Sequence, residues 1–264
     1  MVVGMPRSGT SWLGQILDSN PKVAYRLSPI FSYSMKNCVN EKSKKADFEW
    51  MFKKAFISAN DEFMNQTNKR KDGLFPIFEK VEPPEILVIK MTRYHNLITK
   101  ILELFDDLQM VSIIRNPCGA IYSWLTTEKE FPKTANPKKE WRTGQCRKTG
   151  PEEFWGFNDW KYVTYLHLGL EQRFPKRFRI IQYESLVENP RKETKLLYKF
   201  LGLEFTKQTE DFLVNSQNVH ISDPYSVFKK PSTKDKWRNR LDKEVQFEIY
   251  EDIKDSPLSR FLEY

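Results

Sequence analysis

The sequence GMPRSGTS, Gly4–Ser11, is the starting point for predicting the fold. The apolar residues before it predict a short buried strand over Met1–Gly4, and the spacing of apolar residues after it predicts a helix over Thr10–Ser19. A glycine-containing turn between a strand and a helix directs backbone N–H groups at an anion, and the helix N-terminus adds partial positive charge. The stretch therefore predicts a phosphate-binding loop.

The cation of this loop is displaced from the usual position. The glycine spacing is that of the motif G-x-x-x-x-G-K-[ST], but Thr10 stands at the lysine position and the loop carries Arg7. A nucleoside triphosphatase also needs a magnesium ligand, usually an Asp at the end of a buried strand. The candidate strand Val111–Ile114 ends in Arg115, which cannot hold Mg²⁺ but can bind a phosphate. These residues indicate a nucleotide site with two anion-binding ends and no metal; a P-loop kinase or another nucleotide-binding protein is the alternative.

Strand and helix patterns alternate outward from the loop. The other predicted strands include Ile86–Lys90 and Phe178–Gln182. This alternation predicts an α/β fold, a three-layer sandwich in which helices cover both faces of a central parallel sheet, with a P-loop-like phosphate-binding turn. Residues 215–236 are predicted to be irregular, and the other predicted helices are Asp47–Gln66, Tyr94–Phe105, Pro117–Thr126, one that opens at Pro151, Pro190–Leu201 and Arg240–Ile253. The polar segment 126–150, rich in Lys and Arg, is predicted to be a basic loop or lid insertion.

The composition predicts a folded protein with an anionic partner. Of its 264 residues, 39% are hydrophobic and 14% aromatic, which excludes a disordered chain. Lys and Arg number 43 against 35 Asp and Glu, and the net charge of +8 favours an anionic ligand. No zinc-finger, RNP or helix-turn-helix signature is present, so nucleic acid is not an expected partner.

The sequence also predicts the cellular location of the protein. No apolar run approaches the roughly 20 residues that span a bilayer, and no signal peptide is recognisable, although the N-terminus could be native or trimmed. Three cysteines (Cys38, Cys118 and Cys146) without CxxC spacing argue against a disulfide framework or a zinc site. We expect a cytoplasmic protein with no bound metal and no membrane span. Homo-oligomerisation is left open.

Two motifs together resemble those of the sulfotransferases that use 3′-phosphoadenosine 5′-phosphosulfate (PAPS), of the P-loop type and closest to carbohydrate and bacterial enzymes. They are PRSGTSWL, Pro6–Leu13, and IRNP, Ile114–Pro117, followed by Ser123. The resemblance implies that Arg115 and Ser123, eight residues apart, bind the 3′-phosphate of PAPS and of its product PAP. It also implies that the loop wraps the 5′-phosphosulfate with Arg7, Ser8, Gly9, Thr10, Ser11 and Trp12.

Two weaker matches extend the resemblance toward the C-terminus. Tyr183, in the segment Gln182–Pro190, corresponds to a tyrosine near the adenine. KDKWR, Lys234–Arg238, is similar to the basic loop that closes over the cofactor, and the resemblance assigns Lys236, Trp237 and Arg238 to it. Because the four matches occur in order from residue 2 to about residue 240, residues 1–264 are predicted to form a single sulfotransferase domain.

The catalytic prediction is complete except for the base. Arg7 and Lys90 are assigned to stabilising charge, since Lys90 matches a family lysine at a strand end. The family's two bases are missing: Thr92 stands where cytosolic enzymes have His, and Ser28 where carbohydrate-type enzymes have Glu. His95 is the preferred candidate because imidazole titrates nearest neutrality. Glu153 and Asp159 are alternatives, and a degenerate protein that binds PAPS without catalysis is left open.

The acceptor prediction is a hydroxyl of a carbohydrate or a related molecule, sulfated by metal-independent in-line transfer. Trp155 and Trp160 beside Asp159 would suit the apolar face and hydroxyls of a sugar ring, or the two tryptophans form the core face of the helix that opens at Pro151. The segment Asn20–Tyr33 also resembles carbohydrate-type enzymes. The cations of Lys138–Arg147 suggest either an anionic acceptor or contact with the phosphates of the cofactor.

Overall fold

A parallel sheet of five strands forms the centre of this computed structural model, which describes residues 1–262. The strands lie in the order β2-β3-β1-β4-β5 and every neighbouring pair is parallel. Their nearly continuous apolar sequences fit strands that are covered on both faces. The strands are β1 (Val2–Val3), β2 (Val23–Leu27), β3 (Ile86–Met91), β4 (Met110–Ile114) and β5 (Phe178–Gln182).

Helices cover both faces of this sheet, which confirms the predicted α/β sandwich. Their ranges are α1 (Thr10–Asp18), α2 (Lys45–Ile57), α3 (Thr67–Lys71), α4 (Ile98–Leu104), α5 (Pro117–Leu125), α6 (Pro137–Glu140), α7 (Gly156–Arg173), α8 (Tyr183–Glu188), α9 (Pro190–Leu201), α10 (Lys207–Asn218), α11 (Trp237–Arg240) and α12 (Lys243–Ile253). Side chains of α1, α9 and α10 share one core with Val2 and Val111, while those of α2, α4 and α7 share another with Val3 and Met110. Within residues 1–262, no helix combines the length and apolar character needed to cross a membrane.

The sheet register brings three predicted site segments to one edge. Val2 of β1 pairs with Lys90 of β3 on one side and with Val111 of β4 on the other. In parallel strands the carboxyl ends meet at the same edge of the sheet, which is where ligands bind in open α/β folds. The phosphate-loop sequence, Lys90 and Arg115 therefore come together.

Some element boundaries differ from the predictions. The second predicted helix ends at Ile57 rather than Gln66, because the Asn65 side chain donates to the carbonyls of Ser58, Ala59 and Asp61 in a turn that replaces the helix. The helix expected to open at Pro151 begins at Gly156. Strand β2 and helix α10 were not predicted.

The segment 126–150, predicted to be a basic loop or lid insertion, is packed against the rest of the protein. Phe131 and Trp141 are buried in the core, and Arg142 forms ion pairs of 2.9 and 2.7 Å with Glu248 and Asp252 of α12. Lys138 similarly pairs with Asp242 at 3.0 Å. These ion pairs engage two cations of the Lys138–Arg147 cluster, which was predicted to meet an anionic acceptor or the phosphates of the cofactor.

Candidate active site

The loop between β1 and α1 has a conformation that requires glycine at one point. Gly9 has φ of 94°, in the left-handed region, and a Cβ there would lie 2.5 Å from the ring of Tyr183. Arg7 also has positive φ, 68°. The left-handed turns direct the loop back on itself, so that it leads into the N-terminus of α1 at the edge of the sheet.

The Arg7 side chain joins three parts of the chain. Its Nε donates to Ser123 Oγ of α5 at 3.2 Å, and its Nη2 donates to the carbonyl of Pro224 at 2.9 Å. The guanidinium also lies 5.7 Å from the ring centre of Tyr225. Pro224 and Tyr225 belong to residues 219–236, which we call the covering segment. Arg7 therefore lies where loop, α5 and covering segment meet.

Arg115 lies at the end of β4 beside the loop. Its Nη1 donates to the carbonyl of Arg7 at 3.2 Å, and its guanidinium lies 4.7 Å from the ring centre of Tyr183. Its Nε is buried without a hydrogen-bond partner among the described residues. A buried cationic N–H without a partner is unfavourable, so this position is suited to an anionic ligand.

These residues surround one cavity of about 360 Å³. Its walls come from the loop, α5, the start of α8, α10 and the covering segment. The residues predicted to bind cofactor that line it are Arg7, Gly9, Thr10, Ser11, Trp12, Arg115, Ser123, Tyr183 and Lys236.

Lys90 lies next to the cavity at the end of β3. It is 7% exposed, and its Nζ donates to Ser11 Oγ at 2.8 Å. Burial, followed by the positive charges of Lys69 and Arg7, lowers the pKa of Lys90 to about 7, against the opposing effect of Glu130. At neutral pH the Lys90 side chain is therefore partly a neutral amine. An anion bound on the loop would favour its protonated ammonium form.

The structure does not place His95 where it could receive a proton from an acceptor. The side chain is fully buried, with its ring 4.9 Å from that of Phe154 and 5.3 Å from that of His167. Burial lowers the pKa of His95 to about 3, so the imidazole is neutral and enclosed. The preference for His95 as the base is corrected accordingly.

The predicted sugar-binding aromatics also lie in the core. Trp155 is 4% and Trp160 1% exposed, and Trp160 Nε1 donates to the carbonyl of Arg115 at 3.0 Å. Asp159 accepts from the backbone N–H of Trp155 at 2.8 Å and pairs with Lys148 at 2.7 Å. These residues support Arg115 and the start of α7, and they do not form an open platform for a sugar.

Four other predicted residues lie outside the cavity wall. Glu153 is buried and forms an ion pair with Arg93 at 2.8 Å, so it is not free to act as a base. Trp237 is buried against α5, and Arg238 pairs with Asp235 at 3.1 Å. Ser8 is buried in the loop. Of the basic motif Lys236–Arg238, only Lys236 lines the cavity. The presence of such a motif in the sequence therefore does not predict which of its residues faces the cavity.

The sequence patterns missed most of the covering segment and Glu130. The covering segment contributes His220, Ser222, residues 224–227, 229–231 and Thr233 to the wall, and its Pro and Lys content could have marked it as a basic loop. Glu130 accepts from the hydroxyl of Tyr225 at 3.0 Å. Glu130 belongs to no recognisable motif. Its contact with Tyr225 joins two residues that are 95 positions apart in the sequence. Among residues 1–262, no cluster of His, Cys, Asp or Glu suits a metal.

Comparison with known proteins identifies the family. Residues 1–207 match the model of the sulfotransferase family, whereas no curated protein sequence matches the chain. The fold is similar to mouse sulfotransferase SULT7A1 complexed with PAP, at 16% identity and TM-score 0.56, over 99% of this chain and 86% of that one.

Two further solved structures share the fold. Retinol dehydratase in complex with androsterone and PAP matches at 16% identity and TM-score 0.55, over 97% of this chain and 81% of that one. The sulfotransferase domain of the Synechococcus PCC 7002 olefin synthase matches at 16% identity and TM-score 0.53, over 96% and 93%. At this identity the structures establish the fold, and the family match over most of the sequence establishes that the chain belongs to the sulfotransferase family.

Proposed function

We propose that this protein transfers the sulfuryl group of PAPS to a hydroxyl of an acceptor without a metal. The observation that carries the proposal is the pair of cationic positions in one cavity, the Arg7 loop after β1 and Arg115 after β4. A nucleotide with phosphate at both its 3′ and 5′ positions presents two anionic groups of this kind. The family supports the same reaction class.

The residues present fit such a nucleotide. The buried Nε of Arg115 has no hydrogen-bond partner within residues 1–262, and Ser123 lines the same cavity. These two residues would hold the 3′-phosphate. The loop N–H groups of residues 8–11 and the Arg7 guanidinium would hold the 5′ group, and Tyr183 would contact the nucleoside between them. That SULT7A1 and retinol dehydratase were solved with PAP is consistent with this assignment.

The chain's own groups can stabilise the charge that develops at the 5′ end. Lys90 Nζ donates to Ser11 Oγ, and the positive charge of Arg7 acts on Lys90, so the loop offers a hydroxyl and two cationic side chains to an anion. When bound, PAPS supplies an activated sulfuryl group whose departure leaves negative charge on the 5′-phosphate. Fixed donors at that position lower the barrier because they need no reorganisation.

The proposed acceptor class is a carbohydrate or a related hydroxyl compound. With the tryptophans in the core, this part rests on the resemblance of Asn20–Tyr33 to carbohydrate-type enzymes. Transfer of ³⁵S from labelled PAPS should be compared for a desulfated glycosaminoglycan, a monosaccharide, a phenol and a sterol. A preference for the phenol or sterol would contradict the carbohydrate class while leaving sulfuryl transfer intact.

The proposed function is tested by binding and transfer in the presence of EDTA. We expect calorimetry to show PAP binding without metal, and ³⁵S transfer to at least one acceptor. ATP binding that requires magnesium, with no affinity for PAP, would replace this function with that of a P-loop kinase. PAP binding without transfer to any acceptor would indicate a degenerate PAPS-binding protein.

A further inference from the structure

A carboxylate that no sulfotransferase motif singles out lies beside the cationic end of the cavity. Glu130 is 19% exposed at its side chain and follows α5, the helix that carries Ser123. Its backbone is fixed on both sides: its N–H donates to the carbonyl of Thr127 at 2.8 Å, and its carbonyl accepts from Trp124 Nε1 at 3.3 Å. Its side chain therefore starts from a rigid point next to the cofactor cavity.

One cation and one hydroxyl contact this carboxylate, and three further cations lie around the ring that carries the hydroxyl. Arg147 Nη2 lies 3.5 Å from Oε2, and the hydroxyl of Tyr225 donates to Oε1 at 3.0 Å. The ring of Tyr225 is in turn 4.9 Å from Lys69 Nζ, 5.9 Å from Lys129 Nζ and 5.7 Å from the Arg7 guanidinium. Burial lowers the pKa of Arg7, Lys69 and Lys90, and the charge of Glu130 opposes this lowering in all three, so the carboxylate acts electrostatically on groups at the phosphate loop.

Two buried N–H donors beside Glu130 have no partner among the described residues. They are Nε of Arg147 and Nε1 of Trp155, whose ring centre lies 5.6 Å from the Arg147 guanidinium. Unpartnered buried donors are unfavourable, so this part of the molecule has unused hydrogen-bond donors close to a carboxylate. Glu130 adjoins the cavity through Tyr225, which lines the cavity wall.

Five other side chains could in principle accept the proton of an acceptor hydroxyl, and their surroundings make each of them less suitable than Glu130. Glu153 and Asp159 form ion pairs of 2.8 and 2.7 Å, shorter than the 3.5 Å between Arg147 and Glu130, and His95 and His167 are fully buried. His220 lines the cavity, but desolvation and the charges of Lys229, Lys236 and Lys230 lower its pKa and make it a weaker base.

We propose that Glu130 is the general base that receives the proton of the acceptor hydroxyl. The proposal rests on the proposed function and deepens it. The O–H proton moves to a Glu130 carboxylate oxygen as the acceptor oxygen forms its bond to sulfur. The bond from sulfur to the 5′-phosphate oxygen breaks, and its electron pair stays on the phosphate. The proton then leaves Glu130 to water, which restores the carboxylate.

The test combines Glu130→Gln with a matched variant, Tyr225→Phe. The glutamine keeps the size and the hydrogen bond to Tyr225 but cannot take a proton. The phenylalanine removes that hydrogen bond and keeps the carboxylate. PAP affinity is measured by calorimetry, and kcat is followed from pH 5 to 9 by ³⁵S transfer from PAPS to the best acceptor of the panel above.

We expect Glu130→Gln to bind PAP within threefold of the original protein, which also shows that it folds. Its kcat should fall by about 10²–10⁴-fold, the range for loss of a general base, and its decline at low pH should disappear. Tyr225→Phe should keep that decline, with kcat within about tenfold, as loss of one hydrogen bond predicts.

Three results would overturn the proposal. They are a kcat of Glu130→Gln within threefold of the original, a parallel loss of PAP affinity, and equal effects of the two variants, since the last two would make Glu130 a support for the covering segment. Absence of PAP binding and transfer in the unsubstituted protein would instead overturn the proposed function itself.

Discussion

At the scale of single residues, burial gives Lys90 and Arg115 their special properties. Lys90 has a lowered pKa because its ammonium group is desolvated beside other cations. Arg115 has a buried Nε–H without a partner in the described part of the chain, although its guanidinium packs on Tyr183 and donates to the loop. Both residues have unfavourable surroundings in the absence of an anion. The binding of an anionic ligand relieves this, so local instability and ligand affinity have the same origin.

Arg115→Ala should discriminate between two nucleotides. A hydrogen bond to a charged group contributes about 1.5–3 kcal/mol, so PAP affinity should fall by about 10- to 150-fold. Adenosine 5′-monophosphate, which lacks the 3′-phosphate, should lose less than threefold. Calorimetry measures both, with Arg173→Ala, an exposed ion-pair residue, as the control. Equal losses for the two nucleotides would show that the 3′-phosphate lies elsewhere.

Lys90 should make the stability of the free protein increase with pH. The unfolded lysine retains its proton up to about pH 10.5, whereas the folded one loses it near pH 7. Between these values the unfolded state binds more protons, so the free energy of unfolding rises with pH. Lys90→Met should reduce that slope by at most about 1.4 kcal/mol per pH unit, the value for one proton.

Urea unfolding at pH 7, 8 and 9 measures this slope. Lys53→Met, an exposed substitution in α2, is the control and should leave the slope unchanged. A Lys90→Met slope identical to that of the original protein would show that the ammonium is not desolvated.

At the scale of elements, the loop and helix α7 position the site from opposite sides of Arg115. The loop is held by backbone geometry at Gly9, where any side chain would meet Tyr183. Helix α7 acts from beneath, through the Trp160 indole on the carbonyl of Arg115. The loop and α7 thus both fix the site, because each of them forms a hydrogen bond with Arg115 at the end of β4.

Gly9→Ala should disrupt the loop, whereas Gly169→Ala should stabilise α7. At Gly9 the positive φ and the contact with Tyr183 both oppose a Cβ, so we expect at least a tenfold loss of PAP affinity. At the helical Gly169 a Cβ meets nothing within 4 Å, and alanine should add about 0.5–1 kcal/mol of stability. Thermal unfolding and calorimetry compare the two, and retained affinity in Gly9→Ala would contradict the close packing of the loop.

Trp160→Phe should affect stability and not acceptor preference. It removes the hydrogen bond to Arg115 and leaves its buried carbonyl without this donor, which should lower stability by about 1–3 kcal/mol. Tyr162→Phe, at an exposed position of the same helix, should change stability by less than about 0.5 kcal/mol. An increase in acceptor KM without loss of stability would restore the predicted role of Trp160 in acceptor binding.

At the scale of the whole molecule, the sequence predicted what local pattern determines. Strand Phe178–Gln182 and helix Pro190–Leu201, with Gly202 after it, have the predicted boundaries because their signals are local. Strand β2 was missed because it contains a buried Arg26, whose guanidinium donates to carbonyls of Tyr25, Ala55 and Phe56. Burial of His95, Trp155 and Trp160 depends on distant segments, and so does the place of Glu130. Such long-range packing leaves no local signal in the sequence.

PAP should stabilise the protein as one unit, because the cavity joins residues from the first strand to the covering segment. At 100 times its dissociation constant, a ligand adds about 2.7 kcal/mol, which corresponds to about 5–10 °C in Tm. The shift should appear in EDTA and be the same by far-UV circular dichroism and by tryptophan fluorescence. Different shifts for the two probes would contradict cooperative unfolding and a cavity shared by the whole chain.

The pairing of β1 with β4 has a consequence for nucleotide selectivity. The loop follows one strand and Arg115 the other, and Val2–Val3 are in register with Val111–Ser112. Adjacent strands lie about 4.8 Å apart because of their hydrogen bonds. Backbone pairing therefore sets the distance between the ends of the two strands from which the proposed phosphate-binding groups project. We expect discrimination between 3′,5′- and 2′,5′-bisphosphate isomers to survive most side-chain substitutions in the cavity, since the spacing belongs to the sheet.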